Sequence, residues 1–302
     1  MKQEIRDYCR NQGFNLVGFL NRKDCQFGSW ITPWLDKKYH AEMQWMKNHR
    51  KIRENPCRIE PWVKSFVSAA ITYYTDPPPS WERRNPISSY AWGEDYHVVL
   101  RRKLNAVIGQ IEMLEPSFKG RTFVDTAPIP EKIIAQQCGL GWIGRNSMLI
   151  NRRYGSYLFL GEIATNLDLG SDTPAKNYCG TCRRCIDDCP TGAINEDGTI
   201  DANRCISYLT IEKRGPFTAE QERLIDYQVF GCDICQQVCP WNKRIPESDH
   251  AEFKCFDRWK QKDLSDPDWL TPQHFEELKI KSPVKRTKYQ GFKRNIEAVF
   301  KA

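Results

Sequence analysis

Eight of the thirteen cysteines fall between positions 179 and 239, and their spacing leaves few folds open. The first run is Cys179-Gly-Thr-Cys182-Arg-Arg-Cys185-Ile-Asp-Asp-Cys189-Pro190. The second is Cys232-Asp-Ile-Cys235-Gln-Gln-Val-Cys239-Pro240, with Cys205 between the two. In a C-x2-C-x2-C loop three thiolates converge on one face of a cubane, while the cysteine before the proline turns toward a neighbouring cluster. The pattern predicts two 4Fe–4S clusters with crossed ligation. Cys179, Cys182, Cys185 and Cys239 would hold one, and Cys189, Cys205, Cys232 and Cys235 the other. Zinc sites also use C-x2-C pairs, but they need neither the trailing C-x3-C-P nor a second matching run. The remaining five, Cys9, Cys25, Cys57, Cys138 and Cys255, are scattered and read as small apolar packing residues.

At 302 residues the chain has room for one large domain or two ordinary ones. No apolar run approaches the length of a membrane helix. The opening MKQEIRDYCR is charged and lacks an apolar signal core, so a cytoplasmic protein with no membrane partner is expected. In a reducing compartment disulfides do not persist, which leaves metal as the use for clustered thiols.

Ahead of the cysteines, helical and strand-like patterns alternate. MKQEIRDYCRNQG reads as a helix ended by Gly13, and FNLVGF as a short strand. SFVSAAITYY (65–74) is a β-rich run stopped by Asp76 and three prolines. Leu100, Leu104, Val107, Ile108, Ile111 and Leu114 recur at helical spacing, and RTFVDT and YLFLGEIA read as further strands. Such alternation predicts a layered α/β domain over residues 1–165. Polar residues 166–178 then mark a boundary, and the cysteine-rich stretch to 245 is expected to form an α+β ferredoxin-like domain. Residues 246–302 form a basic C-terminal segment.

Lys and Arg exceed Asp and Glu by 45 to 38, a formal +7. Two clusters in eight thiolates each add about −2, which lowers the folded total to about +3. A polyanionic partner would therefore have to use local patches: Arg183-Arg184, Lys213-Arg214 and the basic tail.

Gly139-Leu-Gly141-Trp-Ile-Gly144 matches the dinucleotide fingerprint, with Glu162 eighteen residues on. That reading needs a preceding strand, and EKIIAQQC looks helical, so a glycine turn permitting close approach to another bulky ligand is favoured. Asp95-Tyr-His97 begins a corrinoid-type D-x-H-x-x-G pattern, but Leu100 replaces the glycine, and a structural histidine at a helix start competes with a metal ligand. Asp125 closes the RTFVD strand, where α/β folds place ligand sites; the alternative is a helix N-cap for the segment starting near Pro130.

Together AWGEDYH (91–97), FVDTAP (123–128), GLGWIGRNSMLI (139–150), YGSYLFLGEI (154–163), RCISYLT (204–210) and both cysteine runs resemble the epoxyqueuosine reductase family. The resemblance implies a cobalamin in the first domain beside the two clusters. By motif position, Arg53, Ser88, His97, Asp125, Arg145, Met148, Leu149 and Ser207 would line the corrin pocket. It also implies an epoxide-to-alkene reduction at the wobble base of tRNA, with Asp125 as proton donor. That role predicts a raised carboxyl pKa. The partners implied are a tRNA anticodon stem-loop and a low-potential electron donor, acting on a monomer. SPVKRTKYQGFKRN is similar to the start of the helical-repeat module that many members carry, expected here to be absent or truncated. Three other readings compete: a corrinoid reductive dehalogenase, a ferredoxin-like electron carrier, and a nucleic-acid-binding protein with purely structural clusters.

Overall fold

The computed structural model describes residues 1–78, 81, 85–260, 264 and 270–300. Four segments build the main sheet: β1 (Leu16–Asn21), β2 (Ser65–Thr72), β3 (Gly120–Phe123) and β6 (Leu158–Thr165), in the order β1-β2-β6-β3. The central strands β2 and β6 are buried at every position, which is why both read as nearly unbroken apolar runs. Every neighbouring pair is antiparallel. The expected layers are therefore present, but the connections are long excursions and not the crossovers of a parallel sheet. β2 ends at Thr72, and Pro79, the last of the three prolines expected to stop it, lies outside the described residues, as do Lys301 and Ala302.

One sheet face is covered by α1 (Lys2–Asn11) and α2 (Tyr96–Leu114). Asp95 caps α2 by accepting from the His97 amide at 3.1 Å. Leu100, Leu104, Val107 and Ile111 from its predicted stripe are fully buried with Phe19, Val67 and Ile163. Burial of each such side chain stabilises the fold by about 1.5–3 kcal/mol. Leu114, the last of the stripe, remains exposed at the helix end.

The opposite face carries α3 (Glu131–Gln137), whose Ile134 and Ala135 pack with Phe66, Ala70, Phe123 and Leu160. Cys25, Cys57 and Cys138 lie in this second core and Cys9 in the first, as apolar packing residues would. A short hairpin follows α3, made of β4 (Trp142–Ile143) and β5 (Leu149–Ile150).

Beyond the sheet, the cysteine-bearing turns include α4 (Arg184–Asp187), α5 (Ile206–Ile211) and α6 (Ile234–Gln237). The basic C-terminal segment is folded onto them. Its helices α7 (Pro272–Leu278) and α8 (Lys288–Phe300) share a third core with Trp92, Ile211 and Phe230. Asn295 donates to the carbonyls of Thr210 and Val229, and Arg294 to those of Lys213, Gly215 and Leu209. Much of the tail's polarity is thus spent tying α8 to the loops around α5.

Candidate functional site

The eight clustered thiols gather in two groups of four. Cys185 lies within electrostatic reach of Cys239, Cys179 and Cys182, and Cys239 of Cys179 and Cys182. Cys232 feels Cys205 and Cys189, while Cys235 feels Cys232, Cys205 and, across the two groups, Cys185. All but the last of these neighbours fall within the two ligand sets that crossed ligation would use. Burial and neighbouring thiols push Cys185 up to about 11 and, together with Asp233, push Cys232 up to about 12. Thiols so placed do not ionise unaided near neutrality, and a cationic iron–sulfur core is what would hold them as thiolates. The donor set fits two clusters.

The glycine motif turns out to belong to the hairpin. α3 precedes it and β4 lies inside it, so the strand-turn-helix of a dinucleotide site is missing. Gly139 and Gly141 admit close approach of protein backbone, and Gly144 that of neighbouring side chains. A Cβ on Gly141 would stand 2.3 Å from the Ile150 carbonyl oxygen, and one on Gly139 (φ +77°) 2.6 Å from that of Thr173. The close packing turns the hairpin tip toward the cysteine loops. Trp142 Nε1 donates to Cys179 Sγ (3.4 Å), Arg145 to the Gly180 carbonyl (3.3 Å), Asn146 to the Cys235 carbonyl (3.2 Å) and Ser147 to that of Gly198 (2.7 Å). Glu162 is far from any ribose role: it is fully buried in β6, accepting from Ser68 Oγ at 3.1 Å.

A cleft opens where the ends of β3, α2 and α3 meet this hairpin. Asp125 sits there with φ +56°, its carboxylate 59% exposed. It is no helix cap, because the N-cap of α3 is Pro130. His97 Nε2 meets Asp125 Oδ2 at 3.1 Å, His97 Nδ1 meets Asp95 Oδ1 at 2.7 Å, and Lys285 Nζ lies 2.6 Å from Asp95 Oδ2. With both ring nitrogens engaged by carboxylates, His97 joins Asp95 to Asp125 in a chain along which a proton can be held. Burial pulls its imidazole down, but the two carboxylates outweigh that and lift it to about 9. The same burial penalty on Asp95 is overcome by His97 and Lys285, which hold it down at about 2.

Asp125 departs from expectation. Crowding by the cleft walls favours its neutral form, yet hydrogen bonding and charge from His97, together with Arg286 and Tyr96, leave the carboxyl below its usual range. The raised pKa expected of a proton donor belongs instead to His97 and to Glu131. Glu131 accepts the Asp125 amide at 2.5 Å and is pushed up to about 8 by burial and by Asp125.

The other expected pocket residues lie at different depths. Arg53 is half-buried within electrostatic reach of Asp125, and its Nε is buried with no partner. Arg145 and Met148 line the hairpin tip, Leu149 is buried behind them, and Ser207 opens α5 beside Cys205. Ser88 lies deeper, its hydroxyl donated to Asp233 at 2.5 Å. The orphaned Arg53 nitrogen and the half-exposed side chains of Arg145, Met148 and His97 fit a large polar-edged cofactor. Sequence reasoning missed Glu131, Lys132, Tyr96 and Arg286. Only Glu131 left a signal, six residues beyond Asp125 on a helix start.

A cavity of about 550 Å³ adjoins the cleft, lined by Glu42, Trp45, Glu212, Arg214, Lys285, Arg286 and Lys288. Its cations outnumber its carboxylates. In two of the patches expected from sequence, one cation of the pair is already matched by carboxylates. Arg183 is tied to Asp187 and Glu196, and Lys213 to Glu42.

Comparison with known proteins bears directly on this site. The family profile "Epoxyqueuosine reductase QueG, DUF1730" matches residues 53–126, and "4Fe-4S double cluster binding domain" matches residues 178–242. An epoxyqueuosine reductase of Leadbetterella byssophila is 40% identical over 98% of this chain and 97% of its own. The chain belongs to the epoxyqueuosine reductase family. It carries that family's double-cluster domain. The Vibrio cholerae epoxyqueuosine reductase is 35% identical, across 98% of this chain and 82% of that protein. The crystal structure of an epoxyqueuosine reductase with a tRNA-Tyr epoxyqueuosine-modified stem loop superposes with a TM-score of 0.88 at 29% identity, covering 98% of this chain and 80% of that one. The Bacillus subtilis enzyme, solved with its catalytic aspartate loop swung out of the active site, gives 0.88 at 28% identity, with 98% and 80% covered.

Proposed function

We propose that this chain reduces epoxyqueuosine to queuosine at the wobble position of tRNA. The observation that carries the reading is the Asp95–His97–Asp125 chain, held open in a cleft that the cysteine domain adjoins on one side and a basic cavity on another. Conversion of an epoxide to an alkene takes two electrons and two protons and releases the oxygen as water. When bound, the clusters supply electrons singly and the corrin cobalt supplies low-potential reducing power at the epoxide carbon. Arg53, Arg145, Met148 and His97 would hold the cobalamin, with Leu149 and Ser207 behind, and a low-potential one-electron donor would feed the clusters. Asp125 and His97 handle protons. At neutral pH the pair carries one proton on the imidazole, and the exposed Asp125 oxygen faces the place where an alkoxide develops. The proton reaches the substrate through Asp125 and is replaced from His97.

Arg214, Lys285, Arg286 and Lys288 would meet the phosphates of the anticodon loop, and Trp45, exposed at 42% with Arg286 over its ring, offers a stacking surface for a flanking base. A base drawn out of its stack would reach the cleft from that side. Among the described residues no helix is long and apolar enough to cross a membrane. An enzyme acting on tRNA would work in the cytoplasm.

The test is anaerobic reconstitution with iron, sulfide and cobalamin, followed by assay of stem-loop RNA bearing epoxyqueuosine for loss of one oxygen. Cluster absorbance with no retained cobalamin would favour an electron carrier. Asp125→Asn should keep both cofactors and lose turnover; full activity in that variant removes Asp125 from the mechanism.

A further inference from the structure

Behind Asp125 lies a second pair of carboxyls that the reaction as described does not use. Glu162 projects from the centre of β6 toward α3, fully buried. Its Oε1 takes the Ser68 hydroxyl, and its Oε2 meets no donor from any neutral or cationic group. The carboxyl it faces is Glu131, in the first turn of α3. Cations reach the pair only from the Glu131 side, where His97 and Lys132 lie within electrostatic reach, and neither hydrogen-bonds it. Lys132, next along α3, donates to the Ser147 carbonyl at 2.6 Å, and Cys138 adds only a thiol. Two ionised carboxylates cannot share such a space, so at least one proton must lie between them. Glu131 in turn accepts the amide of Asp125, whose φ of +56° is a conformation that a non-glycine residue keeps only when held.

We propose that Glu131 is a positioning residue for Asp125, fastening the turn at the end of β3, and that a protonated Glu162 braces Glu131 from behind by hydrogen bonding to it. The inference rests on the reading of Asp125 as the group that passes protons to substrate. A neutral Glu131 holds the Asp125 amide without setting another negative charge beside the Asp125 carboxylate and His97. When Glu131 ionises, that charge arrives beside the Asp125 carboxyl, raises it and opposes release of its proton to substrate. Burial and Asp125 place that ionisation at about pH 8, below the His97 step at about 9.

The experiment uses reconstituted holoenzyme and the modified stem loop. Glu131→Leu should lower kcat about 100-fold, with KM moving less than about threefold and both cofactor spectra unchanged. Glu131→Gln keeps an acceptor oxygen and cannot ionise. It should restore kcat to within about fivefold of the parent and move the alkaline limb of the pH profile up toward the His97 step. A Leu variant with parental kcat, a Gln variant as slow as Leu, or a Gln variant whose alkaline limb stays in place would each overturn the proposal. Infrared spectra give a readout independent of activity. The parent at neutral pH should show the carbonyl stretch of a protonated carboxyl that Glu162→Gln removes, and its absence from the parent would overturn the protonated Glu162. Asp125→Asn separates the two claims. If it stays active, the reading of Asp125 falls, while the infrared band still decides the pair.

Discussion

At the scale of single residues, the proton inventory of the cleft differs from what position in the sequence suggests. Asp125 stands where an acid is wanted, yet its proton is stored on His97, whose two carboxylate partners lift the imidazole to about 9. The sign of the resulting stability follows. His97 is raised above its ordinary 6.5, so its contribution is complete below that value and is lost as pH rises through about 9. Asp95, depressed from 3.8 to about 2, contributes above 3.8 and loses that contribution as pH falls toward 2. The difference in Tm between the parent and His97→Gln should therefore be largest near pH 6 and shrink steadily toward pH 10; a difference independent of pH would mean that the imidazolium is not what the carboxylates bind. Trp142 offers a second residue-level prediction. Its indole N–H on Cys179 Sγ withdraws charge from a would-be ligand, and such hydrogen bonds raise cluster potentials. Trp142→Phe should lower the potential of one cluster and leave the other in place, read by an anaerobic redox titration followed by electron paramagnetic resonance.

At the scale of elements, the sequence was most legible where burial is periodic. The stripe from Leu100 to Ile111 and the runs over β2 and β6 carry their own geometry, and all became the expected elements. Strand direction was not legible, because a strand buried on both faces reads the same in either sense. The hairpin around Gly141 and Gly144 was legible only as a glycine spacing, since what those glycines admit is the carbonyl of Ile150 and the side chains of Ile150 and Asn146, partners that folding alone brings together. The double-cluster domain could be read because ligand spacing is a short-range constraint, whereas Glu131 facing Glu162 depends on α3 docking across the sheet. The hairpin also yields a prediction. Gly141→Ala forces a Cβ into backbone and should destabilise the fold by about 1–3 kcal/mol. The same displacement moves Trp142, Arg145 and Asn146 off the cysteine loops. Iron content per chain should fall with it, and a variant with full cluster loading and parental Tm would show that the hairpin does not support the cysteine domain.

At the scale of the whole molecule, net charge was a poor guide to where a polyanion would lie. Neighbouring basic residues such as Arg183 and Arg184 look like a patch in one dimension, but folding surrounds Arg183 with Asp187 and Glu196. The cavity wall is assembled from distant segments: Trp45, Arg214, and residues 285–288 of the C-terminal segment. Lys285 and Arg286 each keep more than half of the side chain exposed while paired with Asp95 and Glu212, so the wall still presents a surplus of positive charge. A charge that neutralises an RNA phosphate displaces condensed counterions, and the dependence of log affinity on log salt counts those contacts. Lys285→Ala and Lys288→Ala should each reduce that slope by about 1 for a tRNA stem loop. Arg183→Ala should leave the slope unchanged, because its charge is already met by two carboxylates of its own domain. Lys285→Ala also leaves the Asp95 charge uncompensated beside His97, so it should raise the His97 step in the pH profile, which Lys288→Ala should not do. A slope that responds to Arg183 and ignores Lys288 would move the RNA to the cysteine face and detach the basic wall from the reaction.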